Sequence, residues 1–381
     1  MTQEEINILL DTTHKIPVVL RNETFPNNTP SNQLSAIAQN GFSFTGRELL
    51  HAIGSKTASL PSSNQDECVN AAILYAHILD FQSHNLGYKT TINIDSDLQT
   101  NRSNELGIGV GCLIANKIFN VDWDTLESIR GLGRRFDYRA TRPQQKYVYE
   151  FKGTKYRYNQ KTQIDDGLNK KKVMHERKES YDVELIISTH IGFSNETPRI
   201  IIADPPFEGL EYEFTEDAEL LYRLRHLSRI AQFIGNTPLS RIYYNQSKKF
   251  VRKKTIGESE RFDRILVSTD SRALDIPFRI DKISEIKIQN KNFIGRWVSD
   301  WQSEKTRQKR KYYELPKLSH TGKLEIFQGI SAELYHTMME NRIYELKEKM
   351  KFEKIKLKSG DNVEYTTFSD GTIMGYKITN E

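Results

Sequence analysis

Three side chains in the middle of the chain are of types and spacing suited to chemistry: Asp137, then Glu150 and Lys152 within the run KYVYEFKG from Lys146 to Gly153. Two carboxylates can share a hard divalent cation, and an ammonium beside them can orient a water molecule or offset negative charge developing on a phosphoryl group. That set suits phosphodiester hydrolysis. The plain alternative for Glu150 and Lys152 is a surface ion pair, contributing at most about 1 kcal/mol. For Asp137 it is a partner among Arg134, Arg135 and Arg139.

Elements must then exist that bring the three together. Tyr147, Val148, Tyr149 and Phe151 favour a strand, whose period of two puts Val148, Glu150 and Lys152 on one face and the three aromatics on the other. Arg135 to Ala140 reads as a preceding strand, joined to it by a Thr141–Gln145 turn containing Pro143. Upstream, Ser103 is expected to N-cap a helix reaching about Asn120, with Glu105 in its first turn. Gly107, Gly109 and Gly111 in that helix imply close approach of a neighbouring backbone or a ligand. Downstream come a charged helix around Gln163 to Arg177, two short buried strands, Val183–Thr189 and Arg199–Ala203, and a helix from Thr215 to a stop at Gly235. The order predicts an α/β fold with a mixed sheet.

An acid on one strand of a hairpin and acid-x-lysine on the next, with a helix before and a helix and two strands after, resembles the PD-(D/E)xK superfamily of restriction-endonuclease-like nucleases. The resemblance covers roughly residues 100 to 235. It implies a central mixed sheet flanked by helices, with one or two Mg²⁺ (or Mn²⁺) held by Asp137, Glu150 and the carbonyl of Phe151. Lys152 would orient water or stabilise the pentavalent phosphate. By the same resemblance Glu105 would add a metal ligand or hold a water, and Gln163, or less readily Gln160, would lie near the site from the following helix. The expected activity is metal-dependent DNA endonuclease, with RNA open as a substrate, in a bacterial restriction or anti-phage defence system. Cutting two strands implies a homodimer, and a partner protein of the defence system is a further expectation. A second Glu-x-Lys, Glu285-Ile286-Lys287, competes for the motif. It ranks lower because no acid-bearing helix precedes it and no pair of apolar strands follows.

The flanks read differently. Residues 1–96 form an N-terminal, mainly helical region, 97–235 the nuclease-like core, and 236–381 a basic, aromatic α+β module. Asp66 to His84 predicts a buried helix and Tyr88 to Ile94 a strand. Lys248, Lys249, Arg252, Lys253 and Lys254, interleaved with Tyr243, Tyr244 and Phe250, make one basic cluster. Arg307, Lys309, Arg310 and Lys311, beside Trp297, Trp301, Tyr312 and Tyr313, make another. Such mixtures suit a phosphate backbone and stacked bases, or simply a solvated face over core aromatics. Ser331 to Lys351 reads as one helix, and Asp370–Gly371 as the turn of a terminal hairpin.

Composition narrows the classes. No run of about 20 apolar residues offers a membrane span, and the N-terminus, with Glu4 and Glu5, lacks the basic region of a secretory signal, so a cytoplasmic protein is expected. Cys68 and Cys112 read as small buried hydrophobes rather than disulfide or zinc ligands. The nine histidines show no ligand spacing. Phosphate-loop, dinucleotide and serine-elbow motifs are absent. The net charge of +5 permits nucleic acid without requiring it. The second functional class is therefore a non-catalytic nucleic-acid-binding or assembly subunit on the same scaffold, acting through a partner.

Overall fold

The computed structural model describes residues 2–21, 31–57, 75, 78–82, 85–90, 96–129, 136–142, 145–176, 181–204, 216–256, 283–299, 322–350 and 355–380. The chain divides into two compact units. One comprises Leu9–Thr57 and Tyr75–Thr215, the other Met1–Ile8, Ala58–Leu74 and Glu216–Glu381. This partition joins much of the expected N-terminal region to the expected core and assigns the helix after Glu216 to the other unit.

In chain order the elements up to residue 204 are α1 (Gln3–Asp11), β1 (Thr13–Ile16), β2 (Val18–Leu20), α2 (Ser31–Asn40), β3 (Phe42–Thr45) and α3 (Gly46–Lys56). There follow β4 (Leu79–Asp80), β5 (Gly87–Tyr88), α4 (Ser96–Lys117), β6 (Glu127–Ser128), β7 (Tyr138–Arg142), β8 (Gln145–Thr154), α5 (Asn159–Glu176), β9 (Val183–His190) and β10 (Arg199–Ala203). From β1 onward they make a mixed α/β unit, while Gln3–Ile8 of α1 belongs to the other unit. The main sheet of the α/β unit runs β2-β10-β9-β8-β7-β6. β7 pairs antiparallel with β8, and β8 lies parallel to β9. A parallel neighbour requires a crossover, and α5 supplies it.

Several boundaries differ from expectation. α4 begins at Ser96, so Glu105 lies within the helix and the first-turn dipole argument for it fails. Most of Asp66–His84 lies outside the described residues, but Leu79–Asp80 is a strand paired with Gly87–Tyr88, so no helix continues there. β2, three residues long, is too short to show periodicity and joins the sheet by a parallel pairing with β10.

The period of two in β8 divides its surroundings. Val148 joins Phe136, Ile164, Met174, Ile186, Ile201 and Ala203 in one core. On the other face, Tyr147, Tyr149 and Phe151 stack in succession, with ring centroids 6.0 and 5.2 Å apart. α4 packs on that aromatic face through its glycines. A Cβ on Gly107 would lie 2.4 Å from the Lys152 carbonyl, and one on Gly111 would lie 2.3 Å from the Phe151 ring. Gly109 faces Ile53 of α3. Cys112 is buried, as expected of a small hydrophobe, while Cys68 lies outside the described residues.

In the other unit, α6 (Glu216–Phe233) and α7 (Thr237–Ile256) precede the strands β11 (Ser284–Ile288), β12 (Lys291–Ser299) and β13 (Gly322–Ser331). α8 (Ala332–Met339), α9 (Ile343–Lys349), β14 (Lys356–Lys358), β15 (Glu364–Thr367) and β16 (Thr372–Asn380) complete it. The sheet runs β11-β12-β13-β16-β15-β14. Its pairings are antiparallel throughout. The single helix expected over Ser331–Lys351 is broken by Asn341 in the left-handed region (φ 56°), a frequent helix stop. The hairpin turn at Asp370–Gly371 forms as expected, with Gly371 at φ 78°.

Among the described glycines the tightest approach lies between α4 and β8, where a Cβ on Gly153 would stand 1.7 Å from the Ser103 carbonyl oxygen. Gly153→Ala is expected to lower stability by about 2 kcal/mol or more in urea unfolding, since helix and strand must separate to admit a methyl group. Gly360→Ala, with nothing within 4 Å, should change it by less than about 0.5 kcal/mol.

Candidate functional site

Asp137 stands immediately before β7. The β7–β8 register begins at Tyr138↔Tyr149, and the Asp137 N–H donates to the Tyr149 carbonyl at 3.1 Å, which ties Asp137 to β8 beside that first pair. Glu150 and Lys152 share one face of β8 by strand alternation. The three predicted side chains meet. Lys152 Nζ lies 2.8 Å from Glu150 Oε1 and 3.5 Å from Asp137 Oδ2.

A fourth member comes from α5 and was not singled out from the sequence. Lys170 Nζ donates to Glu150 Oε1 at 2.6 Å and lies 3.6 Å from Asp137 Oδ1. It belongs to a run of three lysines, Lys170 to Lys172, in a helix of low hydrophobicity, so only the helical period relative to Ile164 and Met174 could have marked it as inward-facing. Its neighbour Lys171 turns to a different pair, lying 3.2 Å from Glu184 Oε2 and 2.7 Å from Asp204 Oδ1.

Burial within the cluster is uneven. Glu150 is fully buried, whereas the Asp137 side chain is 41% exposed. Glu150 Oε1 receives both ammonium groups, while Oε2 is buried with no hydrogen-bond partner. Burial first, and the Asp137 charge second, push the Glu150 carboxyl up to about 7, against the lowering effect of Lys152 and Lys170. Burial alone would lower the Lys152 pKa, but the charges of Glu150 and Asp137 outweigh it and raise it. The two shifts oppose each other, because an ionised Glu150 is what holds Lys152 charged. The carboxyl is the group that gives way, since one of its oxygens has no donor at all. A protonated Lys152 can donate hydrogen bonds and offset charge, but it cannot accept a proton from water.

Asp137 and Glu150 fit a hard divalent cation that keeps most of its ligands as water or phosphate oxygens, and the orphaned Oε2 offers a donor already stripped of solvent. Ladder alternation directs the Phe151 carbonyl to the same side as that of Tyr149, towards Asp137. No set of three or more His, Cys, Asp and Glu converges among the described residues.

The remaining predicted residues are engaged elsewhere. Glu105 Oε2 accepts hydrogen bonds from the Tyr75 hydroxyl and the Arg102 guanidinium, both at 2.6 Å, and α4 packs on the aromatic face of β8 opposite Glu150. Gln163 donates to the Gly153 carbonyl at 2.9 Å and accepts from the Ser188 hydroxyl at 2.7 Å, tying α5 to β8 and β9. Gln160 donates to the Ser188 and Arg199 carbonyls and accepts from the Arg199 guanidinium. Both glutamines act as structural clamps. Of the arginines weighed as partners of Asp137, Arg139 lies over the Tyr181 ring, and Arg134 and Arg135 fall outside the described residues.

The competing tripeptide is built differently. Glu285 and Lys287 are exposed on β11, an edge strand, opposite Ile286, which packs against the core of that sheet. In the first basic cluster Lys248 is exposed, with its ammonium 4.5 Å from the Tyr244 ring, and Tyr243 is buried, its hydroxyl donating to the Met338 carbonyl. The side chains of Lys249, Arg252, Lys253 and Lys254 are outside the description, as are residues Arg307, Lys309, Arg310 and Lys311.

The raised carboxyl fixes a pH dependence. Between the ordinary value of 4.5 and about 7 the folded protein holds a proton on Glu150 that the unfolded chain has released. The contribution of this group to stability is therefore fully present below pH 4.5 and is lost as pH rises through about 7. At 1.36 kcal/mol per pKa unit the loss is up to about 3 kcal/mol, and Glu150→Gln should remove this part of the slope in urea unfolding from pH 5 to 8 in EDTA. No protein-family model matches the chain, and no curated protein or solved structure matches it either, so any assignment of function rests on these side chains.

Proposed function

We propose that the unit containing β8 is a metal-dependent endonuclease of DNA, built on a restriction-endonuclease-like core. One observation carries this reading. Asp137, Glu150 and Lys152, whose types and spacing suit phosphodiester chemistry, converge with Lys170, and the buried Glu150 carboxylate holds both ammonium groups on Oε1 while its Oε2 has no hydrogen-bond partner. The order α4, β6, β7, β8, α5, β9, with β8 parallel to β9, also supports it.

Asp137 and Glu150, with the Phe151 carbonyl, would hold Mg²⁺ or Mn²⁺, which when bound supplies Lewis-acid polarisation of the phosphate and a more acidic water. Asp137, the exposed member, forms the open side through which a phosphate enters. Lys152, kept protonated, donates to a non-bridging oxygen and offsets charge that grows as the fifth bond to phosphorus forms. Lys170 stands on the other side of Glu150 Oε1 and supplies a second positive charge for the same purpose. The buried aromatic face holds β8 against α4, so these donors need no reorganisation during the reaction. Cutting both strands calls for two copies of the chain, each serving one strand. The restriction or anti-phage setting follows from the family resemblance.

One feature favours the second reading, a nucleic-acid-binding or assembly subunit without activity. Lys152 and Lys170 already neutralise the two carboxylates, and a third acidic ligand is not brought to them among the described residues. Such a subunit would bind nucleic acid with steep salt dependence and leave it uncut.

With Mg²⁺ or Mn²⁺, the purified protein should nick or cleave DNA, and EDTA should stop it. Asp137→Ala, Glu150→Gln and Lys152→Ala should each lower the rate by about 100-fold or more, and Lys170→Ala by about 10-fold or more, read on supercoiled plasmid. Gln is preferred at position 150, because Ala would leave two ammonium groups beside an empty site. Full activity in all four variants, or salt-sensitive binding without cleavage, would overturn the nuclease assignment.

A further inference from the structure

Immediately after β8 the chain reads Lys155-Tyr156-Arg157-Tyr158 and carries two features that neither the core nor the candidate site uses. Tyr156 is 46% exposed and Tyr158 74% exposed, yet their rings are stacked, with centroids 5.5 Å apart and planes 19° apart. Solvent-exposed aromatic rings held face to face present an apolar surface, with the Lys155 ammonium 5.9 Å from the centre of the Tyr156 ring. Around them the charge is mainly positive. Arg157 and Lys161 are exposed. The neighbouring acid, Glu196, lies 3.5 Å from His190 Nε2.

The loop is held in place. The Thr154 hydroxyl accepts from the Tyr156 N–H at 3.1 Å and donates to the Tyr156 carbonyl at 3.2 Å, and Lys155 Nζ packs 3.7 Å from the centre of the Phe193 ring. The surface is thus preformed, and a ligand need not order it. Tyr156 follows Lys152 by four positions. At about 3.3 Å per extended residue the two lie within roughly 13 Å, a span of a few nucleotides at about 3.4 Å per stacked step.

We propose that this loop is a stacking platform for unpaired bases of a nucleic-acid strand, with Tyr156 and Tyr158 receiving the bases and Arg157 and Lys161 the phosphates. Ring faces accept any base, and the cations complement the backbone, so the platform reads strandedness rather than sequence. A duplex keeps its bases stacked on one another and offers only the phosphate half of this contact. The proposal rests on the nuclease reading for its place beside the site. Its test requires binding alone.

Anisotropy of the whole chain in EDTA, with fluorescent oligothymidine of roughly 20 nucleotides, longer than the ~4–16-nucleotide sites of single-strand binders, and with a duplex of equal length, measures that binding. Tyr156→Ala with Tyr158→Ala should raise Kd for the single strand about 10-fold or more and for the duplex less than about 3-fold, while the Phe pair stays within about 2-fold of the wild type. Arg157→Glu with Lys161→Glu should flatten the salt dependence for both probes. The platform is overturned if the wild-type chain fails to bind the single strand, if the alanine pair binds it unchanged, or if both probes lose equally. Loss confined to the single strand in a chain that cleaves nothing supports the platform and removes the nuclease reading. Cleavage by a chain whose alanine pair binds unchanged removes the platform alone.

Discussion

A fully buried carboxylate sets the terms for the unit around β8. Glu150 shares its face of the strand with Val148, in a core of Ile164, Ile186 and Met174, where an unpaired charge would cost several kcal/mol. Two ammonium groups offset that cost, and placing them constrains three elements at once. Lys152 follows from the pleat of β8 itself. Lys170 requires α5 to lie across the sheet with one particular face turned inward, and Lys171, paired with Glu184 and Asp204, fixes that rotation from the other side. Asp137 requires β7 to pair with β8 in the register observed. A shift of one residue would turn it to the aromatic face.

The opposite face obeys a steric rule. Tyr147, Tyr149 and Phe151 form a tall aromatic layer, and α4 reaches the backbone beyond it only because Gly107 and Gly153 let helix and strand approach within reach of each other's main chain. The glycines weaken the isolated helix by roughly 1 kcal/mol each relative to alanine. Packing recovers that loss by burying the aromatic layer. One strand is thereby clamped from two sides by different forces, electrostatic on the α5 face and van der Waals on the α4 face. The clamp accounts for how a polar cluster keeps its geometry beside the apolar core.

What the sequence could reveal follows the range of each signal. The alternation in KYVYEFKG, the apolar runs of β9 and β10 and the three spaced glycines are local patterns, and each element or close approach expected from them is present. The meeting of Asp137 with Glu150 depended only on a hairpin, which is also local. Lys170 was hidden because a lysine run in a charged helix reads as solvated, and only the tertiary placement of α5 selects which of the three turns inward. Glu105 and Gln163 failed to join the cluster for the converse reason. Each side chain found nearer partners, Tyr75 and Arg102 for one, Gly153 and Ser188 for the other. β2 could not be foreseen from three residues whose only role in the sheet is a non-local pairing.

Two charge networks on adjacent residues of α5 allow an internal comparison. Lys171, Glu184 and Asp204 are each at most 5% exposed and paired at 3.2 and 2.7 Å, so that network is closed. Lys170, Glu150, Lys152 and Asp137 form a network that is open. One carboxylate is 41% exposed, its contacts stretch to 3.5 and 3.6 Å, and a buried oxygen has no donor. A buried ion pair is seldom a gain over apolar packing even when complete, and an incomplete one is worse. If both networks served only to hold α5 on the sheet, the closed geometry one residue away is the solution expected at both. The proposed nuclease reading accounts for the open geometry, because a ligand that brings both a cation and negatively charged oxygens would complete it.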